Sequence, residues 1–378
     1  MEYRAFEKLG VSPSLLGFGC MRFPQNPDGT IDEAEAAKLL DTAIKAGVNY
    51  IDTAYPYHNG ESEPFLGRTL KKYPRNSFYL ATKLPMWDIK TPEDVKKIFD
   101  SQLERLQTDY VDFYLIHCLD KEKWQQVLDL NVIPFLEEMK QQGKIRFLGF
   151  SFHDDFDTFK KILTYRTWDF CQIQYNYIDT EIQAGDRGYE LTEELGIPLV
   201  IMEPVKGGSL ASLPEEIAAR FTDFDPLHSL ASWALRWVAS KPNVKVVLSG
   251  MSTMEQVQDN LETFTHFTPL SLKEKEVVAN VAAAIRQRTK NGCTGCAYCM
   301  PCPFGVDIPG NFHIWNDWSM YGNDEKAKRA YFTEMKESAR ADQCKKCGKC
   351  ETVCPQALSI RENLATAAKE LASLKQNS

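Results

Sequence analysis

Residues 78–117 read FYLATKLPMWDIKTPEDVKKIFDSQLERLQTDYVDFYLIH and predict a strand, a helix and a second strand. The first and last parts, residues 78–83 and 111–117, are short apolar runs rich in residues that favour strands. Residues 91–107 carry apolar side chains at helical spacing, with Thr91 at the N-cap position and an acid close behind it. Two strands joined through a helix are parallel, so this segment predicts one β–α–β unit.

Similar strand and helix patterns recur along the rest of the chain. Eight apolar runs are candidate strands: residues 14–21, 49–54, 78–83, 111–117, 145–151, 169–176, 198–203 and 244–250. Eight such strands that alternate with helices predict a closed parallel (β/α)8 barrel, the TIM-barrel fold of the α/β class. An open doubly wound sheet is the alternative, but it often carries a glycine-rich dinucleotide loop after its first strand. The sequence has no G-x-G-x-x-G motif there, and GFG at 17–19 is a strand feature.

The composition changes after the last predicted barrel helix, which runs from Ser271 to about residue 290. From NGCTGC onward the chain is rich in Cys, Pro and Gly. We therefore expect a barrel domain at residues 1–287 and a small, mainly α-helical domain at residues 288–378. The part from about residue 310 to 341 has no strand signals and is predicted to be helical.

Length, charge and composition limit the classes of function. The chain has 378 residues, 43% of them hydrophobic, and a formal net charge of −8. Because no block of Lys or Arg is present, neither nucleic acid nor an anionic membrane surface is an expected partner. The sequence shows neither an apolar signal segment at the N-terminus nor an apolar run long enough for a transmembrane helix. These features predict a soluble, cytoplasmic protein.

Polar residues end several consecutive predicted strands, where the functional sites of parallel barrels lie. Asp52 ends the second strand and leads to Tyr57, while Lys83, His117 and Ser151 end the third, fourth and fifth. A cationic Lys beside a Tyr favours the phenolate and lowers the pKa of the phenol, and an Asp can hold the ammonium in place. A neutral His can orient a substrate carbonyl by hydrogen bonding. Such a set suits hydride transfer to a carbonyl carbon with protonation of its oxygen.

These residues stand in motifs that resemble the aldo-keto reductase superfamily over roughly residues 1–285. The motifs, in chain order, are NYIDTAYPYHNGESEPFLG, ATKL, DFYLIHC, GFS and CQIQYN. The resemblance implies a catalytic tetrad of Asp52, Tyr57, Lys83 and His117. The family places its Tyr five residues after the Asp, which selects Tyr57, and Tyr55 is then expected to be a packing residue.

The resemblance also implies an NAD(P)(H) site without a Rossmann fold. The residues that align with cofactor contacts are Gly19, Cys20, Met21, Ser151, Gln172, Gly250, Ser252, Gln256, Asp259 and Asn260. Three features depart from the family pattern. Phe152 replaces an Asn, Glu203 aligns with a stacking aromatic, and Gly250 and Gln256 replace a Lys and an Arg that commonly bind the 2′-phosphate. Without those basic groups, recognition of the 2′-phosphate is weakened, which favours NAD(H) and leaves NADP(H) open.

Eight of the 11 cysteines form two arrays near the C-terminal end of the sequence. The second, Cys344-x2-Cys347-x2-Cys350-x3-Cys354-Pro, has the spacing of bacterial [4Fe–4S] ferredoxins, in which the fourth Cys binds the other cluster. The first array has the same plan with one residue fewer before its last Cys. Crosswise ligation predicts two [4Fe–4S] sites, held by Cys293, Cys296, Cys299 and Cys354, and by Cys302, Cys344, Cys347 and Cys350. Two structural zinc sites are the alternative.

Both parts together resemble the bacterial and archaeal aldo-keto reductases with a C-terminal ferredoxin-type domain. The resemblance implies an NAD(P)(H)-dependent oxidoreductase acting on a small-molecule carbonyl or alcohol, with two [4Fe–4S] clusters for electron transfer. A ferredoxin or flavodoxin is an expected redox partner. A flavin would convert the two-electron transfer of a nicotinamide into the one-electron transfers of the clusters. The sequence shows no flavin motif, and this cofactor is left open. Two alternatives remain at this point: a conventional reductase with structural or redox-sensing clusters, and a regulatory barrel without turnover.

Overall fold

The computed structural model describes residues 1–375, and in it eight parallel strands close into one barrel. Each strand pairs with its neighbours in chain order, and the last strand pairs with the first. The strands are β1 Leu16–Gly19, β2 Tyr50–Asp52, β3 Tyr79–Leu84, β4 Val111–Leu119, β5 Ile145–Phe152, β6 Phe170–Gln174, β7 Leu199–Met202 and β8 Val244–Ser249. The prediction of an eight-stranded parallel barrel is confirmed, although several strands are shorter than the apolar runs that predicted them.

Helices connect the strands and continue beyond them. Their bounds are α1 Glu33–Lys45, α2 Ser62–Thr69, α3 Pro92–Leu106, α4 Lys121–Asp129, α5 Val132–Gln141, α6 Phe156–Leu163, α7 Gly185–Leu195, α8 Glu215–Thr222, α9 Leu230–Ala239, α10 Met254–Thr265, α11 Leu272–Gln287, α12 Ile308–Tyr321, α13 Asp324–Lys328 and α14 Ile360–Ser373. The predicted N-cap of α3 at Thr91 is confirmed, and the structure shows a second N-cap at Asp32, before α1. Asp32 accepts a hydrogen bond from the Glu35 backbone N–H at 3.1 Å, and Thr91 forms a capping box with Asp94.

The barrel interior is filled by large apolar side chains from alternate positions of the strands. Phe113 lies at its centre, with its ring centroid about 5.0 Å from those of Tyr50, Phe147 and Phe170. Phe6, which precedes the barrel, also packs against Phe113. The opposite faces of the strands pack against the surrounding helices in a larger apolar core. The interior is therefore filled by packed side chains below the carboxyl ends of the strands.

The described chain forms two compact units. One unit holds residues 1–207 and 231–275, and the other holds residues 208–230 together with the chain from 276 onward. In the second unit Arg288 forms an ion pair with Glu216, and Lys326 donates a hydrogen bond to the Ser209 hydroxyl at 3.1 Å. Residues 208–230 thus pack with the C-terminal part of the chain, although they lie between β7 and α9 in sequence.

The C-terminal part has its own apolar core. Phe312 and Trp315 of α12 and Leu364 and Leu371 of α14 are buried in it, and several of the eight clustered cysteines pack around it. Between these helices lie α13 and short helical turns, which agrees with the prediction of a helical segment there. No helix within residues 1–375 is long and apolar enough to cross a membrane.

Candidate active site and iron–sulfur sites

The polar residues at the strand ends continue the inward-facing rows of the barrel. Asp52 follows Tyr50 by two residues in β2, and Lys83 follows Ala81 by two residues in β3. His117 stands in the same relation to Leu115 in β4. Because side chains alternate between the two faces of a strand, these three point to the same interior as the apolar residues before them. The barrel therefore brings Asp52, Lys83 and His117 together at the carboxyl ends of consecutive strands.

Lys83 is the centre of this group. Its side chain is fully buried, and its Nζ donates to Asp52 Oδ1 at 2.6 Å and to the Thr53 backbone carbonyl at 2.6 Å. Burial alone would lower the pKa of Lys83, but the attraction of Asp52 and Tyr57 outweighs it, and the pKa is raised. Lys83 is therefore a cation over the physiological pH range, and Asp52 is its counter-ion.

Tyr57 completes the group from the turn that follows β2. Its hydroxyl lies 3.4 Å from Lys83 Nζ, which also lies 4.9 Å from the centroid of the phenol ring. Burial raises the pKa of Tyr57 above its ordinary value, and the Lys83 charge offsets only part of this increase. The sequence analysis expected a net decrease from the neighbouring Lys. The direction differs because desolvation of the phenolate outweighs the attraction of a single ammonium.

His117 lies beside Tyr57, with 6.2 Å between the ring centroids, and it is 6% exposed. Burial lowers its pKa well below the ordinary value of a His, and the Lys83 charge acts in the same direction. His117 is therefore neutral at physiological pH, as expected for a group that orients a carbonyl. Its Nδ1 is buried and has no hydrogen-bond partner in the described chain. The half-exposed Trp87 ring lies 5.0 Å from the imidazole and forms one wall of the mouth.

Ser151 and Gln172 are adjacent across the β5–β6 ladder. The Gln172 side chain is buried, its Nε2 donates to Met202 Sδ at 3.4 Å, and its Oε1 has no partner. A buried amide oxygen without a donor is costly, and the carboxamide N–H₂ of a nicotinamide would supply one. Ser151 Oγ accepts a hydrogen bond from the Cys118 backbone N–H at 2.8 Å. These two residues fit a nicotinamide carboxamide, whereas Phe152 packs against Phe159 of α6 and faces away from the interior.

The predicted nucleotide residues of β1 and β8 lie at one rim of the barrel. At Gly19, a Cβ atom would lie 3.2 Å from the Ser249 carbonyl oxygen and 3.3 Å from the Gly250 backbone nitrogen, so the two strand ends are in close contact. The Cys20 side chain is buried, and its backbone N–H donates to the Asp52 carbonyl, whereas Met21 is exposed.

The remaining predicted nucleotide residues lie just before α10 and in its first two turns. Ser252 Oγ donates to the Arg22 carbonyl, and the Ser252 backbone N–H donates to Gln256 Oε1, both at 2.7 Å. Asn260 is buried and donates to Ser249 Oγ at 2.9 Å, while Asp259 lies one position before it in α10 and is partly exposed. Asn260 therefore holds the end of β8 against α10, and Ser252 connects the segment after β1 to the start of α10.

Arg22 is a basic residue at this rim that the sequence analysis did not select. Its Cγ and Cβ lie 2.7 and 2.9 Å from the position that a Cβ would take at Gly250, so Gly250 leaves room for the arginine. Arg22 is exposed, and no carboxylate within residues 1–375 pairs with it. The signal was present in the sequence, since Arg22 directly follows Met21. The family pattern points instead to Gly250 and Gln256, the positions of its Lys and Arg.

Glu203 takes the place where the family pattern has a stacking aromatic. It follows β7, is exposed and has a φ of 53°, and its carbonyl accepts from Asn176 Nδ2 at 3.2 Å. Cys118, at the end of β4, has a φ of 53° as well. Non-glycine residues with positive φ are strained and concentrate at functional sites. Cys118 near the end of β4 and Glu203 just after β7 therefore both lie at the carboxyl ends of barrel strands, the end that holds the candidate site.

The clustered cysteines line two cavities in the C-terminal part of the chain. One cavity is lined by Cys293, Cys296, Cys299 and Cys354. The other is lined by Cys302, Cys344, Cys347 and Cys350, and Cys299 also reaches its wall. No disulfide links any of these residues. The two sets are the same as those that the array spacing predicts, and their role as iron ligands stays a prediction.

The donor set fits a cubane cluster. Four thiolates around one cavity match the ligand requirement of a [4Fe–4S] cluster, in which each sulfur binds a different iron. A zinc ion instead needs all four ligands within about 2.3 Å of one point. Within residues 1–375, no three His, Cys, Asp or Glu side chains converge as the ligands of one metal ion would.

Comparison with known proteins gives matches for both parts of the chain. Residues 15–283 match the Aldo/keto reductase family, and residues 292–358 match the family described as a 4Fe-4S dicluster domain. L-galactose dehydrogenase from Arabidopsis thaliana is 28% identical over 310 residues, which cover 75% of this chain and 94% of that protein. NADH-specific methylglyoxal reductase from Escherichia coli (strain K12) is 26% identical over 301 residues, 66% of this chain and 90% of that protein.

Solved structures match the barrel as well. The holo form of an aldo-keto reductase from Bacillus halodurans superimposes with a TM-score of 0.63 and 27% identity, covering 74% of this chain and 96% of that one. A thermostable aldo-keto reductase in complex with the inhibitor epalrestat gives a TM-score of 0.62 and 25% identity, covering 74% of this chain and all of that one.

Proposed function

Because the chain belongs to the aldo/keto reductase family and carries a C-terminal 4Fe-4S dicluster domain, we propose that it is an NAD(P)(H)-dependent oxidoreductase whose clusters transfer electrons. Its substrate is a small-molecule carbonyl or alcohol. The observation that carries the proposal is the buried contact of Lys83 with Asp52 and Tyr57 at the carboxyl ends of β2 and β3. A buried ammonium beside a phenol, with a neutral imidazole next to it, suits proton transfer to a carbonyl oxygen.

Each residue of this group has one task in the proposed reduction. When bound, the reduced nicotinamide supplies a hydride to the carbonyl carbon. Tyr57 holds the proton on its Oη and transfers it to the carbonyl oxygen. The Lys83 ammonium stabilises the phenolate that Tyr57 becomes, and Asp52 holds the ammonium in place. Neutral His117 donates a hydrogen bond to the same oxygen and does not compete with Tyr57 as a proton source, since its pKa is well below the ordinary value.

The nicotinamide is proposed to bind over Ser151 and Gln172, and the rest of the nucleotide to follow the rim from Gly19 to Ser252. The unpartnered Gln172 Oε1 supports this placement. Gly250 and Gln256 stand where the family pattern has the Lys and Arg that bind the 2′-phosphate, and this favours NAD(H). One relative is named as NADH-specific. Arg22 is the basic residue at this rim and is proposed to contact a phosphate of the nucleotide.

The two cysteine sets are proposed to hold one [4Fe–4S] cluster each. A [4Fe–4S] cluster bound by either set would supply one-electron transfer, so two such clusters would hold the two electrons that one nicotinamide carries. A flavin as converter between the two kinds of transfer stays open, and a ferredoxin or flavodoxin is the proposed external partner. The relatives named for a sugar and for methylglyoxal suggest polar carbonyl or alcohol substrates.

A Tyr57→Phe variant tests the proton-donor role. We expect it to lower the rate constant of carbonyl reduction by about 10²- to 10⁴-fold, the usual contribution of a general acid. Binding of NADH, followed by quenching of protein fluorescence, should stay within about twofold, since the phenol is assigned no nucleotide contact.

Tyr55→Phe is the matched control. Tyr55 packs against the Arg105 guanidinium, whose carbon lies 4.4 Å from the ring centroid. Its hydroxyl is assigned no role in catalysis, so activity should be near that of the unmodified protein. Equal activity losses in both variants, or full activity in Tyr57→Phe, would contradict the assignment of Tyr57.

A further inference from the structure

The two cysteine arrays differ in the charge of the residues between their cysteines. From Cys293 to Val306 the sequence contains no charged residue. From Cys344 to Cys350 it contains Lys345, Lys346 and Lys349. The whole chain has a net charge of −8, so this positive segment is opposite in sign to the protein as a whole. The second cysteine array is therefore positively charged, whereas the first array is uncharged.

These three residues, which we call the lysine rim, lie around the second cavity. Lys345, Lys346 and Lys349 line it together with Cys302, Cys344, Cys347 and Cys350. All three lysines are exposed, and none forms an ion pair in the part of the chain that the structure describes. A fourth basic residue of the cavity, Arg361, is already paired with Glu351 at 2.7 Å. The rim thus presents to solvent three ammonium groups that have no carboxylate partner in the described residues.

Exposed apolar side chains lie beside the lysine rim. Tyr298, Phe304 and Val353 line the same cavity and are 70%, 48% and 47% exposed. Cys347 is exposed as well, so the proposed cluster would lie close to the surface. Exposed apolar side chains beside charges of one sign suit a short-lived complex, in which the charges speed the approach of the partner and a small apolar area forms the contact.

We propose that the lysine rim is the docking surface for an acidic one-electron carrier protein, which exchanges electrons with the cluster held by Cys302, Cys344, Cys347 and Cys350. This inference rests on the proposed function of the clusters. The carrier loses one electron, and the cluster gains it and changes from the 2+ to the 1+ state. No bond is formed or broken. The transfer can also run in the opposite direction.

Charge complementarity selects this partner. An acidic protein is repelled by most of a chain with net charge −8, and a local positive region can orient it towards one face. Lysines near a cluster have another effect, because they stabilise its reduced state and raise its potential. If the lysines changed only the reduction potential of the cluster, their effect on the rate would not depend on the charge of the carrier protein. Docking and tuning of the potential can therefore be separated by experiment.

The test uses the full iron-loaded chain and a reduced acidic [2Fe–2S] ferredoxin as the probe. Stopped-flow mixing under anaerobic conditions gives the second-order rate constant of cluster reduction at several salt concentrations. We expect this rate constant to fall steeply as salt rises. In Lys345→Glu/Lys346→Glu it should fall by about tenfold or more at low salt and lose the salt dependence. The milder Lys345→Gln/Lys346→Gln variant should show an intermediate effect if iron loading of the first variant is poor.

Lys336→Glu/Lys369→Glu is the matched control, because it changes the net charge equally at exposed lysines that do not line the cavity. It should retain most of the rate constant and the salt dependence. Equal effects of the two double variants, or a rim variant that changes only the cluster potential, would overturn the docking site. Clusters that dithionite reduces but the ferredoxin does not would also overturn the docking site. That result would not contradict the proposed clusters. Failure of dithionite itself would instead contradict the proposed clusters.

Discussion

Lys83 is fully buried, and its Nζ has Asp52 Oδ1 and the Thr53 carbonyl as close acceptors. At this residue the gain from the ion pair exceeds the cost of burial, so the charge is retained. At Tyr57 and His117 burial is the larger effect and favours the neutral forms, a protonated phenol and an uncharged imidazole. One cation beside two neutral groups is the protonation pattern that the proposed carbonyl reduction uses.

The low pKa of His117 predicts a dependence of stability on pH. In the unfolded chain this His returns to a pKa of about 6.5, whereas in the folded chain its pKa is well below that value. Below about pH 6.5 the unfolded state therefore binds a proton that the folded state does not, and the free energy of unfolding falls as pH falls. His117→Gln should reduce this slope by up to about 1.4 kcal/mol per pH unit.

Urea unfolding at several pH values between about 7 and 5 measures this slope. Only the difference in slope counts, because the substitution can also lower stability equally at every pH. His153 has a pKa lowered in the same direction and contributes to the slope of both proteins. Identical slopes in the two proteins would show that His117 is protonated normally in the folded chain.

The positions of the site residues could be predicted from the sequence, but their electrostatics could not. Asp52, Lys83 and His117 end apolar runs with a period of two, and this local pattern places them inside the barrel. The net direction of the Tyr57 pKa depends on how deeply the ring is buried, which is a property of the whole site. Arg22 directly follows the selected Met21 in sequence, but its place beside Gly250 depends on the close approach of the ends of β1 and β8.

Within the strands, two glycines allow the barrel wall to pack closely. A Cβ at Gly149 in β5 would lie 2.6 Å from the Phe170 carbonyl oxygen, which is backbone of the neighbouring strand β6. A Cβ at Gly17 in β1 would lie 2.7 Å from the ends of the Leu248 and Val246 side chains. Side-chain ends can move by rotation, whereas a backbone carbonyl within a ladder cannot move without disturbing its hydrogen bonds.

Gly149→Ala is therefore expected to be more destabilising than Gly17→Ala. We expect a loss of about 2–3 kcal/mol in the free energy of unfolding for Gly149→Ala and a clearly smaller loss for Gly17→Ala. Urea unfolding followed by circular dichroism measures both values. A smaller loss for Gly149→Ala than for Gly17→Ala would contradict the packing of β5 against β6 described here.

The elements themselves were largely predictable, and their bounds less so. All eight strands and the N-caps of α1 and α3 follow from apolar periodicity and capping residues. β2 has only three residues although its apolar run is longer, because strand length depends on pairing with both neighbours. α14 was not specifically predicted, and its buried face becomes evident only from its contact with the α12 core.

For the whole molecule, the crosswise arrangement of cysteines makes a prediction about iron content. Cys354→Ser should abolish the cluster that Cys354 is proposed to bind together with Cys293, Cys296 and Cys299. The iron content should then fall from about eight to about four atoms per chain. Adding Cys293→Ser to Cys354→Ser should then cause no further loss, because both residues serve one cluster. Ligation within each array instead predicts that the double variant loses both clusters. Iron analysis after anaerobic reconstitution measures this, with Cys171→Ala as the control.

The grouping of residues 208–230 with the C-terminal part of the chain could not be predicted from the sequence. The change in composition near residue 288 predicts two domains at 1–287 and 288–378, and this boundary stays a prediction. The structure groups residues 208–230 and 276–287 with the C-terminal part. Contacts such as that of Arg288 with Glu216 join residues far apart in sequence, and no local sequence pattern predicts them.

The proposal that nucleotide and clusters exchange electrons is tested most directly by anaerobic titration of the iron-loaded protein with NADH and with NADPH. Cluster absorbance and EPR report reduction, and protein fluorescence reports nucleotide binding. We expect the clusters to be reduced, with NADH effective at lower concentration than NADPH because neither Gly250 nor Gln256 carries the positive charge that favours binding of a 2′-phosphate. Clusters that dithionite reduces but that stay oxidised with either nucleotide bound would contradict electron transfer between the barrel and the clusters.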